Sequence, residues 1–334
     1  MKLCPDNHFE IPEAFALLGI AMFVMGLRTF ARWSSVGIRN FAFDDYLMLF
    51  AGCVYGLDTA AAYMAETQFL GLANNNMNEA YRRGLRPQGL EWALRVHGSK
   101  TQLVGWNLYV LVLWSLKLCM AVFYSRLTEG LFLNVRINIA YGAIGVTYVA
   151  TVLSLLFGCY PLRKNWQIYP NPGNHCQPAI SKVNLYVTVV LNVITDMYLL
   201  SIPLPLLWSL SNLTRRRKLL LIVMFSGGIF IMIAGILRCA LILSNELIGP
   251  SSAATWALRE IFVAVIVGNV PMIYPLFLRT FNKLHGDSEE RIMPSAEKPP
   301  SISVTKEFSQ EDSVVAELEL GRGFYGGAAP RVPR

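Results

Sequence analysis

Apolar residues run along this chain in seven long blocks, at about Pro12 to Phe30, Asp44 to Ala65, Leu103 to Tyr124, Ile137 to Tyr160, Val183 to Trp208, Leu219 to Ser244 and Trp256 to Arg279. Each is long enough to cross a bilayer as a helix, which takes roughly 20 mostly apolar residues at 1.5 Å rise. None shows the alternation of apolar and polar positions that a membrane strand requires. Backbone groups in hydrocarbon must be paired within their own segment, so the pattern predicts helices throughout. The expected fold is an all-α bundle of seven membrane-spanning helices over residues 12–284, after a short N-terminal segment of residues 1–11.

Composition agrees with the pattern: 54% of residues are hydrophobic and 15% charged, a balance that places most of the chain in a bilayer. Beyond Leu284 the sequence turns to Gly, Pro, Ser, Glu and Lys, which predicts a disordered cytosolic tail over residues 285–334. The net charge of +7 comes from basic residues beside the spans, so anionic lipid headgroups rather than nucleic acid are the expected partner. Arg28, Arg32 and Arg39 follow the first span, Arg126 and Arg136 flank the loop after the third, and Arg215 to Lys218 follow the fifth. The excess of basic residues in these loops predicts the N-terminus outside and the C-terminus in the cytosol. Against it stands the connection from Glu66 to Gln102, predicted outside yet carrying Arg82, Arg83, Arg86, Arg95 and Lys100. Cys159 and Cys176 fall on the expected outer side, where a bridge between them would pin the loop they bound, and Cys4 is a third thiol on that side. Cys53, Cys119 and Cys239 lie inside spans and are expected to be buried packing residues.

Charged residues inside spans cost several kcal/mol unless paired or watered, so each is a candidate site. Toward the cytosolic side lie Arg28, Asp44 and Asp45, Lys117, Arg126 and Asp196. Lys117 and Asp196 both fall about 20 Å from the outer face at 1.5 Å per residue, and are expected to meet or to share a network with Asp45 and Asn192. Toward the outer side lie Asp58, Arg238, Arg259 and Glu260, with Arg238 expected to pair with Glu260 or Asp58. A fixed ion pair that specifies packing and a ligand contact are both open readings of these groups. Pro203, Pro205, Pro271 and Pro275 are expected to kink the fifth and seventh spans, and Gly227, Gly228 and Gly235 to let helices approach closely.

The ordered set Phe43-Asp44-Asp45-Tyr46, Lys117 with Phe123-Tyr124-Ser125-Arg126-Leu127, Cys159-Tyr160-Pro161 through Trp166 to Cys176, Asn192 with Thr195-Asp196, Ile202-Pro203-Leu204-Pro205, Arg238 and Glu260 resembles the fungal rhodopsin-domain integral membrane proteins. The resemblance spans about Arg28 to Arg279. It implies the seven-helix fold and a setting among proposed surface receptors and small proteins of secondary-metabolite clusters such as the satratoxin one. Many members carry Gly-Leu-Gly with a His after the second helix, whereas this chain reads Phe69-Leu70-Gly71-Leu72-Ala73-Asn74 with an isolated His97. The cysteine-rich outer domain of receptor-type members is not expected ahead of the first span. The seventh span lacks a Lys for a retinal Schiff base, so no retinal is implied.

Two functions follow. A membrane-bound accessory or tailoring component of secondary-metabolite biosynthesis would bind a small apolar metabolite and could protonate or cyclise it with a buried acid, Asp58 or Glu260. A seven-helix surface receptor would instead signal to a cytosolic partner. A transporter is disfavoured by the lack of an inverted repeat. With no G-x-S-x-G, no P-loop, and His8, His97, His175 and His285 outside the spans, no metal or other cofactor is expected. The plasma membrane and endomembranes are both compatible locations. The expected orientation puts the sequon Asn212-Leu213-Thr214 in the cytosol. Glycosidase treatment of the expressed protein should then leave its gel mobility unchanged, and a shift to lower mass would reverse the topology.

Overall fold

A computed structural model of the chain describes residues 11–37, 39, 41–127, 134–204, 215–244 and 249–290. These form eight helices: α1 (Ile11–Val36), α2 (Phe43–Thr67), α3 (Glu79–Gly84), α4 (Leu90–Leu127), α5 (Asn134–Phe157), α6 (Lys182–Ser201), α7 (Arg215–Ser244) and α8 (Gly249–Glu290). No strand occurs among the described residues. All but the short α3 are long and apolar enough to cross a membrane, giving seven candidate spans. Each spanning helix packs on the next, and α8 returns against α1 to close a ring, while α4 also reaches α6 and α8 across the middle.

The helix ends have local causes. Asp45 accepts a hydrogen bond from the backbone N–H of Ala42 at 3.0 Å, which satisfies one donor at the entry to α2. α1 closes on Gly37, whose φ of 74° suits a residue without Cβ and whose N–H reaches the Trp33 carbonyl at 3.0 Å. α6 runs to Ser201, and Ile202 keeps helical dihedrals with its N–H on the Leu199 carbonyl before Pro203, which offers no N–H; the expected end at Trp208 lies outside the described residues. α8 starts at Gly249, earlier than Trp256, since Pro250 is tolerated in a first turn. It then runs on through Pro271 and past residue 284 to Glu290, so the compositional break falls inside a helix. The expected disordered tail beyond Glu290, Cys4, Pro205 and the sequon at Asn212 lie outside the described residues.

α4 departs most from expectation. It begins at Leu90, not Leu103, because its polar first turns are internally satisfied: Arg95 Nε meets Glu91 Oε1 at 2.9 Å, and Ser99 donates to the Arg95 carbonyl at 2.8 Å. With 38 residues it extends about 57 Å, well beyond the roughly 30 Å hydrocarbon layer, so these turns project from the bilayer. His97 therefore sits on α4, with its ring stacked on Phe69 at 6.0 Å.

At this end of the bundle the connections form a cap. The Cys159–Cys176 disulfide closes the loop between α5 and α6, and Asn74 Nδ2 donates to the carbonyls of both Asn165 and Cys176, at 2.9 and 3.0 Å. Arg82, 1% exposed, donates to the carbonyls of Asn74, Ile168 and Met77 at 2.6, 3.0 and 3.3 Å. Arg95 donates to the Ala73 carbonyl at 2.8 Å. Two of the five basic residues that strained the charge rule are thus fasteners between loops, a structural use that long connections permit on either side.

Apolar side chains such as Phe23, Val146 and Ile194 face outward, where lipid would contact them. Cys53 is on this exposed surface too, contrary to expectation, while Cys119 and Cys239 are buried. Lipid gives little hydrophobic drive for helices to associate, so close packing matters. A Cβ on Gly227 would strike Val267 of α8, and one on Gly228 would come within 2.7 Å of Leu200 of α6. In the cap, a Cβ on Gly98 would strike the Leu72 carbonyl, which cannot move as a flexible side chain would. Gly98→Ala should therefore lower the thermal unfolding midpoint in detergent, at a cost of about 1–3 kcal/mol. Gly142→Ala, where a Cβ meets nothing within 4 Å, should leave the midpoint within error or raise it.

Candidate functional site

The bundle buries two groups of charges. The first lies at the end opposite the cap and is centred on Asp44, which is 0% exposed. Its Oδ2 receives Arg28 of α1 at 2.6 Å and its Oδ1 receives Arg126 of α4 at 2.5 Å. The neighbouring Asp45 holds Arg32 at 3.2 Å and lies 3.5 Å from Arg28. Arg28 also donates to the carbonyl of Gly268 in α8 at 3.3 Å. Four helices meet at this knot. Asp45 belongs here and not with Lys117 and Asp196, because its side chain leaves the first turn of α2 toward α1.

The second group runs through the middle of the ring toward the cap. Lys117 of α4 places its ammonium 2.7 Å from Asp196 Oδ1, and donates to the Asn192 carbonyl at 2.8 Å and Thr195 Oγ1 at 2.6 Å, all on α6. The ammonium also stands 5.2 Å above the Trp114 ring. From Asn192 the chain continues: its Nδ2 donates to Glu260 Oε1 of α8 at 3.1 Å. Glu260 Oε2 accepts the Tyr109 hydroxyl of α4 at 2.8 Å. Arg238 of α7 donates to that hydroxyl oxygen at 2.8 Å and comes within 3.6 Å of Glu260. Its guanidinium lies over the Tyr109 ring at 4.2 Å and the Trp106 ring at 5.0 Å, so aromatic faces share in holding the charge.

Asp58, buried in α2, lies within the field of Arg238, but Arg238's ion pair is with Glu260. Arg259, next to Glu260, turns the other way and holds Glu13 of α1 in a two-pronged contact at 2.6 and 2.8 Å. The sequence placed the charges in two layers by depth; the structure joins Lys117 and Asp196 to the Glu260 layer through Asn192. Gly235 allows this, since a Cβ there would press within 3.2 Å of Glu260 Oε1.

Between the two groups lies a cavity of about 60 Å³ lined by α4, α6, α7 and α8. Leu113, Met120, Tyr124, Met224 and Ala264 give it apolar walls, Lys117 and Asp196 are its charged residues, and Gly268, which receives Arg28, lies at its border. Among the described residues no three of His, Cys, Asp and Glu converge as metal ligands.

The model of the family described as the fungal rhodopsin domain matches residues 27–279. The chain belongs to that family. With seven candidate spans, it is a multi-pass membrane protein. A SAT4 family membrane protein of Emericella nidulans is 26% identical over 166 residues, covering 50% of this chain and 42% of the relative. The polyenoic acids biosynthesis gene cluster protein Ba17b of Metarhizium anisopliae is 30% identical over 115 residues, covering 34% of this chain and 30% of that protein. The matched stretches thus span less than half the length of either relative. No solved structure gives a significant match.

Within this fungal rhodopsin domain, Tyr109, Trp106, Trp114 and Thr195 were not foreseen as part of the network. Tyr and Trp in an apolar run read as packing or interface residues, and only the rotation of α4 aims them at Glu260 and Lys117. Arg32 could have been found, being four residues after Arg28 and so on the same helical face. Removing one member of a buried pair strands the other, at about 3–5 kcal/mol, whereas removing both can be neutral. Lys117→Met and Asp196→Leu should each lower the folded yield of the domain, and the double variant should recover most of it. A double variant as poor as the worse single one, by size-exclusion yield, would show that the pair does more than neutralise itself.

Proposed function

We propose that the protein receives a small, largely apolar molecule in the cavity between α4, α6, α7 and α8, and works as an accessory or tailoring component of fungal secondary-metabolite biosynthesis. The observation that carries this reading is the cavity itself: an apolar recess with a charged pair in its wall. At about 60 Å³ it accepts the end of an apolar molecule as it stands. Met120 and Met224, flexible and polarisable, are the side chains able to enlarge it. Membership of the fungal rhodopsin family and likeness to a protein named for a polyenoic acid cluster support the setting. Asp58, buried near Arg238 but outside its direct pairing, is the carboxyl group freest to act as an acid, and Glu260 serves to hold the network.

One observation favours a receptor as the second reading. Gly268 both borders the cavity and accepts a hydrogen bond from Arg28. A ligand that displaced α8 at Gly268 would loosen the Arg28–Asp44–Arg126 knot at the end expected to face the cytosol, and so inform a partner there. The N-terminus-out orientation is part of both readings, and the position of the disulfide at the opposite end supports it.

Deleting the gene in its native host and comparing small molecules by mass spectrometry tests the choice. Loss of one compound with accumulation of a precursor is expected. Complementation with Asp58→Asn should then fail to restore the product if this acid delivers a proton, and full restoration would remove that mechanism. An unchanged profile with altered growth on surfaces or nutrients would instead establish the receptor reading.

A further inference from the structure

The cavity's polar wall is unbalanced in a way that specifies what can bind. An ammonium has three N–H donors, and those of Lys117 are matched by three acceptors: Asp196 Oδ1, the Asn192 carbonyl and Thr195 Oγ1. It has none left for a ligand. Asp196 is in the opposite condition. Its Oδ1 accepts from Lys117, but its buried Oδ2 has no hydrogen-bond partner among the described residues. Asn192 Oδ1 and Thr188 Oγ1, one and two turns earlier on the same face of α6, are also buried without partners. Neither of those two residues lines the cavity; Asp196 does, so the unmatched acceptor at its wall is one oxygen of that carboxylate.

Buried acceptors of this kind are costly to leave unmatched, and a hydrogen bond to a charged group is among the stronger ones. A ligand acid would bring a second negative charge to Asp196 and find no free donor on Lys117. Resting on the reading that this cavity binds an apolar molecule, we propose that its ligand is an apolar molecule ending in a hydrogen-bond donor, an alcohol in the simplest case, whose O–H donates to Asp196 Oδ2. The class excluded is the ionised carboxylate, which carries no donor and adds a second negative charge.

The test uses the full chain in lipid nanodiscs and three probes of matched length: 1-octanol, methyl octyl ether and octanoate. The shift in thermal unfolding midpoint is measured for each, and the same titrations on Ala264→Val, which fills the cavity while leaving Lys117 and Asp196 in place, subtract partition into lipid. Octanol should raise the midpoint of the unmodified protein but not of Ala264→Val, with an apparent affinity about tenfold or more above that of the ether. Octanoate should give no saturable shift. Asp196→Asn should bring alcohol and ether closer together; where that variant does not fold, the alcohol–ether comparison on the unmodified protein decides. Equal binding of alcohol and ether, both lost in Ala264→Val, would overturn the donor requirement and leave the apolar-cavity reading standing, as would octanoate binding tightest. If no probe gives a shift that Ala264→Val removes, both readings fall.

Discussion

Asp44 is a carboxylate that neither water nor lipid can serve, and the bundle is arranged around its need for partners. Arg28 and Arg126 supply them from α1 and α4, and Arg28 spans on to the backbone of α8. In a bilayer, helices gain little by hiding apolar surface from one another, so specific contacts decide which faces meet. A shift of any of these helices away from the knot would leave a charge stranded in a medium where that costs several kcal/mol. The same requirement explains the middle of the ring, where α4, α6, α7 and α8 are held in register by the path from Lys117 through Asn192 and Glu260 to Arg238.

The cavity sits where these two constraints leave a gap. Its upper wall is fixed by the Lys117–Asp196 pair and its border by Gly268, while methionines fill the sides. A ligand thus meets rigid polar groups at defined places and compliant hydrocarbon elsewhere, which suits recognition of one polar feature on a variable apolar body.

Much of this was legible in the residues. Seven apolar blocks follow directly from the thickness of a membrane, and a charge inside such a block announces itself. Axial depth could also be counted, which brought Lys117 level with Asp196. Rotation about a helix axis could not be counted across helices, so a network shared by Asp45 with Lys117 and Asp196 stayed open where Asp45 in fact meets Arg28 and Arg32, and Cys53 was placed inside when it faces out. Ends of helices were misjudged where polar residues satisfy one another locally, as Glu91, Arg95 and Ser99 do in the first turns of α4. Arg82 reads as a loop charge, and its burial against three carbonyls depends on strands of backbone more than eighty residues apart.

The contacts between α1 and α8 have a consequence for how the molecule is made. Glu13 is held by Arg259, and Arg28 by the Gly268 carbonyl as well as by Asp44. α1 is therefore made well before α8, on which the full matching of its charges depends. Until some 240 further residues have been synthesised, α1 carries an acid and a base whose partners on α8 do not yet exist.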